Sequence, residues 1–278
     1  MPQRPPPMLV QQIEMPATNS NYRLFAEMNR QELREAAPSS LVVLPIGATE
    51  QHGPHLATGM DFITVEKISR EAAQIAAASI PVIVAPVLPF GSSHHHLVFG
   101  ATLSITTETY FKVLMELLDC LVTDGFRHMF IVNGHGGNQE LMQLAARDTA
   151  LRHRVAVAAG SYWTIAWEPL LKVAAYGAKH LPGHAGDFET SLMLANRPEL
   201  VKVAGADLDP AKRAAGAAAL ENRAPYRSEV YGLWEAFDGY TDDPTSATAE
   251  KGRAYYEAIA QSLAAHFVSF ATKTEPFA

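Results

Sequence analysis

The sequence contains a single cysteine, Cys120, in 278 residues. One cysteine excludes an intrachain disulfide and any zinc or iron–sulfur site built from several cysteines, and it fits a reducing compartment. Basic residues are also few, because 22 Lys and Arg stand against 29 Asp and Glu for a net charge of −7, and no basic cluster is present. The sequence therefore lacks the electrostatic footprint of a nucleic-acid-binding protein.

We also expect neither a signal peptide nor a membrane span in the sequence. The start, MPQRPPPMLVQQ, has no continuous apolar core, and its prolines predict a flexible arm over residues 1–20. The longest uncharged stretch, Ala72 to Ser93, is interrupted by Pro81, Pro86 and Pro89, which argues against a helix in a bilayer. We expect a cytoplasmic protein without a membrane partner, with one domain over residues 21–278.

Apolar runs of strand length alternate with helical patterns along the chain. This alternation is typical of βαβ units, so it predicts an α/β fold with three layers, α/β/α, around a largely parallel central sheet. The predicted strands are Leu41–Ile46, Pro81–Val87, Met129–Val132 and Val155–Ala159, and the predicted helices are Ile63–Ala78, Tyr110–Val122, Gln139–Leu151, Glu189–Ala195 and Ala249–Ala271. Residues 207–243 show no pattern that assigns an element.

Eight of the 11 histidines lie in segments predicted to be loops, and several directly follow a predicted strand. Ligands of open α/β sheets bind beyond the carboxyl ends of the strands. These loops could therefore converge on one crevice.

The segment EQHGPH (Glu50 to His55) follows the first predicted strand and has Asp61 eleven residues after Glu50. Glu50 and His52 are two residues apart, so an extended backbone would point both side chains the same way. One carboxylate can bridge two divalent ions while a His and a Glu anchor each side. The alternative is that Asp61 caps its helix and that Glu50 and His52 are solvated.

Two further segments offer metal ligands. NGHGGN (Asn133 to Asn138) follows a buried strand and would expose His135 at the strand's end, although a plain βα turn with a solvated histidine is also consistent. It lacks the fingerprint of a nucleotide-binding turn. In HAGDFETS (His184 to Ser191), Glu189 could reach inward as a ligand or could simply be an acid favoured by the helix dipole.

Other candidates could contact a substrate. SSHHH ends at His96, and three adjacent histidines alternate in direction, so at most two could face one site. Trp163 follows a predicted strand and could form an apolar wall, although a lone tryptophan is more often part of the core.

Taken in their order along the chain, these segments resemble the creatininase (creatinine amidohydrolase) family. The matching motifs are EQHGPHL with Asp61, HLVFGATLS, NGHGGN, HAG..ETS and, near the end, DDPTSATAEKG. The resemblance extends from about Leu41 to Ala271.

The resemblance implies a two-metal hydrolase of a non-peptide amide, often cyclic, that assembles as a homo-oligomer, commonly a hexamer. It implies that the metal ligands are Glu50, His52, Asp61, His135 and Glu189, with Asp61 bridging. His184 would move protons, and with Glu189 it is the residue expected to act in catalysis. Trp163 matches a tryptophan over the substrate, and we expect His180 and His96 to contact the substrate as well.

Three positions depart from the family pattern. Gly137 stands where creatininase carries a glutamate ligand, and His180 stands where it carries a second tryptophan. Gly100 replaces a usual proline. The hydrolase chemistry is expected to persist, whereas creatinine is not the expected substrate.

No Ser, Cys or Lys lies in a recognisable nucleophile motif, so an activated water is the expected attacking group. Oxygen and imidazole ligands without sulfur suit two divalent ions, zinc, manganese or iron. The alternatives are a deformylase of a nucleotide-derived formamide, a ring-opening hydrolase of a cyclic ketone, and a non-enzymatic metal- or ligand-binding protein.

Overall fold

The computed structural model describes residues 21–173, 183–202, 211, 231–236, 238–241 and 243–275. Its strands are β1 (Tyr22–Leu24), β2 (Leu41–Ile46), β3 (Val82–Val84), β4 (His128–Asn133) and β5 (Ala156–Ser161). They form one sheet in the order β1-β3-β2-β4-β5, and all four pairings are parallel. The parallel sheet predicted from the sequence is confirmed.

Among the described residues, the helices of four residues or more are α1 (Arg30–Ala36), α2 (Met60–Ala76), α3 (Thr107–Asp124), α4 (Gln139–Arg152), α5 (Tyr162–Ile165), α6 (Trp167–Lys172), α7 (Asp187–Asn196), a short helix Leu233–Ala236 and the C-terminal helix Ala249–Thr274. None of these helices is long and apolar enough to cross a membrane, as far as the described residues go.

The helices lie on both faces of the sheet, which gives the predicted three layers. Every residue of β2 is buried, and its side chains alternate between two hydrophobic clusters. Leu41 and Val43 belong to the cluster that also contains residues of α2, α7 and the C-terminal helix. Val42 and Leu44 belong to the cluster with residues of α3 and α4. In a strand buried on both faces, polar and apolar residues do not alternate, and Leu41–Ile46 is therefore a continuous apolar run.

One boundary differs from the sequence-based prediction in a way that matters for the site, and one strand was not predicted. Helix α2 begins at Met60, three residues before the predicted start at Ile63, so Asp61 lies inside its first turn and not before it. Strand β1 was not predicted, because three residues are too few for a period to show. The predicted N-terminal arm, residues 1–20, lies outside the described residues.

Candidate metal centre

The predicted ligands meet at the carboxyl edge of the sheet. Glu50 follows β2 and His135 follows β4, and these strands are paired to their last residues, Ile46 opposite Asn133. Asp61 comes from the first turn of α2 and Glu189 from the first turn of α7. All four side chains are buried, as are His52 and His184. The alternative in which these residues are solvated is therefore wrong.

Asp61 presents its two carboxylate oxygens to two different groups of side chains. Its Oδ2 atom lies 3.3 Å from Nδ1 of His135, and that nitrogen lies 3.2 Å from Oε1 of Glu50. We call Glu50, His135 and this oxygen the Glu50 half of the site. The carboxylate does not cap its helix, because the residue at the cap position is Gly59 and has no side-chain hydrogen bond.

The other oxygen of Asp61 belongs to a second group. Its Oδ1 atom lies 3.2 Å from Nε2 of His52, which is 3.7 Å from Oε2 of Glu189. We call His52, Glu189 and this oxygen the Glu189 half. In each half, the ligand atoms lie within 4.8 Å of one another, which is close enough to hold a metal ion.

Several of these atoms have no hydrogen-bond partner among the described residues. They are Oε2 of Glu50, Nε2 of His52 and Oδ2 of Asp61. Buried polar atoms are normally paired, because burial without a partner costs free energy. Ligand atoms of mixed carboxylate and imidazole type that converge without partners fit divalent cations such as zinc or manganese.

The outer ring nitrogens of the ligand histidines are bound to the protein. Nδ1 of His52 lies 3.1 Å from the backbone oxygen of Glu50, and Nε2 of His135 lies 3.1 Å from that of Ser92. Because the outer nitrogen donates to a carbonyl, the inner nitrogen is the one that faces the site, as is usual for metal-binding histidines.

The pKa values of the two glutamates are displaced in opposite directions. Burial alone would raise the pKa of Glu50, but His135, His96 and His184 outweigh burial and hold it well below the ordinary value. Burial raises the pKa of Glu189 to about 7, and the carboxylates of Asp61 and Glu50 add to this although His52 opposes it. The glutamate surrounded by histidines thus favours its charged form, whereas the glutamate beside other carboxylates does not.

His184 lies next to both halves. Its Nε2 atom is 2.9 Å from the backbone oxygen of Gln51, and its Nδ1 atom is 3.7 Å from Oε1 of Glu50. Burial, reinforced by His52 and His96, holds the pKa of His184 well below the ordinary value. A neutral imidazole that donates through Nε2 presents an unprotonated Nδ1 to the site.

Helix α7, which carries Glu189, is anchored by the start of the C-terminal helix. Thr248 caps the C-terminal helix by accepting from the backbone N–H of Lys251. The Lys251 ammonium reaches Oδ1 of Asp187 at 2.9 Å. The DDPTSATAEKG motif therefore has a structural role in the site, because it fixes the helix that positions Glu189.

The histidine triplet does not alternate in direction as predicted, because it begins a 3-10 helix, His94–Phe99, and is not extended. His96 is buried and its Nε2 atom lies 3.6 Å from Oε1 of Glu50. The ring of His95 stacks on that of His135, with centroids 5.8 Å apart. His94 is exposed and bonds Ser104.

Of the other two predicted substrate residues, Trp163 and His180, the structure describes only Trp163. Trp163 is part of the core packing, edge-on to Tyr162 with centroids 4.9 Å apart. His180 lies in residues 174–182, outside the described residues. For both, contact with a substrate stays a prediction.

Trp234 contacts the histidines of the site, although this contact was not predicted from the sequence. Its ring centroid lies 4.6 Å from that of His96 and 5.7 Å from that of His184. The same segment holds His184, since Thr241 Oγ1 accepts from its backbone N–H at 2.7 Å. Residues 207–243 carry no periodic pattern, so the signal available was the aromatic pair in LWEAF.

A family model described as creatinine amidohydrolase matches residues 26–267 of the chain. The chain belongs to the creatininase family. A relative of this chain, the mycofactocin precursor peptide peptidase of Mycobacterium tuberculosis, is 31% identical over 82% of this chain and 84% of its own. The creatinine amidohydrolase of Pseudomonas putida is 31% identical over 61% of this chain and 69% of its own. The 3-dehydro-scyllo-inosose hydrolase of Thermotoga maritima is 28% identical over 64% of this chain and 57% of its own.

Solved creatininase structures match the fold. A creatininase variant in a zinc–zinc form and a creatininase with manganese each give a TM-score of 0.70 at 26% identity, over 91% of this chain and 98% of theirs. The predicted family and the three-layer fold are thereby confirmed.

Gly137, which stands where creatininase carries a glutamate ligand, cannot carry a side chain in this conformation. A Cβ atom on Gly137 would stand 2.2 Å from the backbone oxygen of Ser92 and 2.6 Å from Nε2 of His135. A glutamate ligand at this position would therefore need a different turn. Glu189 is the additional buried carboxylate that the structure brings to the site.

Proposed function

We propose that the protein is a metal-dependent hydrolase of a carbon–nitrogen amide bond in a small molecule, with two divalent cations at the carboxyl edge of the sheet. The observation that carries the proposal is the position of Asp61, whose two oxygens face two separate sets of ligand atoms. Glu50 and His135 would hold one cation, His52 and Glu189 the other, and Asp61 both. When bound, such a pair of cations lowers the pKa of water and polarises a carbonyl group.

The protein's own side chains supply the proton transfers. Nδ1 of His184 faces the site as a base, so it can take a proton from the attacking water and return it to the nitrogen of the broken bond. Trp234 covers the histidines on one side and would pack against a planar substrate. Burial of Glu50, Asp61 and Glu189 keeps bulk water from screening these charges.

The substrate we propose first is a non-peptide amide, cyclic as in creatinine. The familial alternatives are a formamide derived from a nucleotide and a cyclic ketone, and the Thermotoga relative is named for the hydrolysis of an inosose. Creatinine itself is disfavoured, because the turn at Gly137 excludes the glutamate that creatininase uses.

A second candidate is hydrolysis of a peptide bond. Its support is the relative from Mycobacterium tuberculosis, which is named a peptidase and aligns with 82% of this chain. Both candidates share the metal centre and the attacking water. They differ in the size of the substrate that the site must accommodate.

The test combines metal analysis with a substrate panel. Protein loaded with zinc or manganese would be assayed with creatinine, hydantoin, 2-pyrrolidinone, N-methylformamide and trialanine, and product amine or ring opening would be followed. We expect two ions per chain and turnover of a non-peptide amide. Turnover of trialanine alone would select the peptidase, and two bound ions without any hydrolysis would favour a binding protein.

The homo-oligomer, which the family resemblance implies, and the cytoplasmic location, which the sequence composition suggests, stay proposals. Sedimentation of the full chain would give the oligomer order directly. A monomer at micromolar concentration would contradict the hexamer.

A further inference from the structure

The side chain of Gln51 is buried between the metal ligands and the segment that carries Trp234. Its Oε1 atom accepts a hydrogen bond from the backbone N–H of Gly53 at 2.9 Å. Its Nε2 atom donates to the backbone oxygen of Gly239 at 2.6 Å. Exchanging the two amide atoms would set a donor against a donor and an acceptor against an acceptor, so these backbone groups fix the amide orientation.

The second hydrogen on Nε2 of Gln51 is directed to His96. The distance from Nε2 of Gln51 to Nδ1 of His96 is 2.8 Å. Since the Gln51 nitrogen only donates, Nδ1 of His96 must accept, and a neutral imidazole then carries its proton on Nε2. Nε2 of His184 also approaches Gln51, at 3.3 Å, but it donates to the Gln51 backbone oxygen at 2.9 Å and needs no proton from the amide.

The Nε2 atom of His96 points into the site without a partner. It is buried and has no hydrogen bond among the described residues. The nearest carboxylate oxygen, Oε1 of Glu50, is 3.6 Å away, which is beyond hydrogen-bond distance. An N–H that faces a hydrolytic centre and is satisfied by no protein group is positioned to bind an acceptor on a substrate.

We propose that Gln51 fixes the tautomer of His96 so that Nε2–H donates a hydrogen bond to the carbonyl oxygen of the bound amide. His96 is then a substrate-binding donor and not a metal ligand, although its position near Glu50 would also suit a ligand. Gln51 is a positioning residue that acts through His96. The identity of the acceptor rests on the proposed amide hydrolysis. The tautomer of His96 does not depend on that proposal.

The contact with Gly239 depends on a backbone without a side chain. A Cβ atom on Gly239 would stand 2.8 Å from Nε2 of Gln51. The close approach of this backbone to Gln51 therefore links the orientation of the amide to the segment that bears Trp234.

The tautomer can be measured without any substrate. Zinc-loaded protein labelled with ¹⁵N-histidine would be examined by long-range ¹H–¹⁵N NMR, and His96 would be assigned from the signals missing in His96→Gln. We expect a protonated Nε2 and an unprotonated Nδ1 in the wild type. In Gln51→Glu, the carboxylate accepts where the amide donated, so Nδ1 should become protonated.

Activity would be measured with whichever panel compound the wild type hydrolyses fastest. His96→Leu and Gln51→Glu should lower kcat by about 10²–10³, the usual cost of losing one donor to a developing oxyanion. His96→Gln keeps an N–H near the same place and should recover part of the loss. His94→Gln, on the exposed neighbour, should match the wild type. Zinc content should stay at two ions in every variant.

Two results would overturn the inference. One is a wild-type His96 protonated on Nδ1 with zinc on Nε2, and the other is loss of an ion in His96→Leu. If Gln51→Glu does not fold, the wild-type spectrum and the His96 variants still decide the question. A wild type with the expected tautomer that hydrolyses no amide would contradict the proposed function alone.

Discussion

The two halves of the site are built from different parts of the fold. In the Glu50 half, Glu50 and His135 follow two adjacent strands that are paired along their whole length. In the Glu189 half, His52 comes from a loop and Glu189 from a helix that is held through Lys251 and Asp187. The pKa of Glu50 lies well below its ordinary value and that of Glu189 is raised to about 7. One half is therefore positioned by the sheet and carries a glutamate that favours its charged form, while the other depends on helix packing.

Removing the shared carboxylate should affect both halves together. In Asp61→Asn, we expect zinc content to fall in both positions and hydrolysis to drop by at least about 10³-fold, since a catalytic cation contributes several kcal/mol. The protein should stay folded by circular dichroism, because Asp61 makes no cap for its helix. Full activity with two ions bound would disprove the shared role.

Glu189→Gln should separate the halves. An amide is a weaker ligand than a carboxylate, so we expect the affinity of one zinc ion to fall by about 10- to 100-fold, the scale seen for altered metal shells. The other ion should stay. Calorimetric zinc titration would resolve two classes of site in this variant, and equal weakening of both ions would remove the distinction between the halves.

Gly137→Ala should damage the Glu50 half, and the adjacent glycine supplies a matched control. A Cβ atom at 137 would overlap Ser92 and His135, whereas one at Gly136 would meet nothing within 4 Å. We expect Gly137→Ala to lower the free energy of unfolding by about 1–3 kcal/mol, as overpacking does. Urea denaturation should show Gly136→Ala close to wild type, and similar losses in both would refute the steric argument.

Trp234→Ala should have the smallest effect, confined to substrate binding. Losing an aromatic contact worth about 1–2 kcal/mol would raise KM by roughly 5- to 30-fold with kcat nearly unchanged. Both zinc ions should remain. A fall in kcat at constant KM would place Trp234 in the chemistry and not in the wall of the site.

Much of the fold could be predicted from the sequence, because buried parallel strands such as Leu41–Ile46 are continuous apolar runs between helical periods. The ligands of the Glu50 half could also be predicted, since residues that follow adjacent parallel strands reach the same edge of the sheet. The role of Glu189 could not be predicted from spacing alone, because an acidic residue in the first turn of a helix is common. Only the family resemblance singled it out.

The aromatic wall and the role of Gln51 could not be predicted. Trp234 lies in a segment without periodicity, and its position depends on tertiary contacts such as that between Gly239 and Gln51. Gln51 sits between two candidate ligands in the sequence, where a pattern shows no orientation for its amide. Such features depend on contacts between segments far apart in the chain.

We infer that Asp61 divides one site into two cation positions. A crystal structure of the zinc-loaded protein, with anomalous scattering recorded at the zinc edge, would test it most directly. We predict two anomalous peaks on either side of Asp61, one beside Glu50 and His135 and the other beside His52 and Glu189. A single peak, or two peaks of which Asp61 contacts only one, would contradict the account.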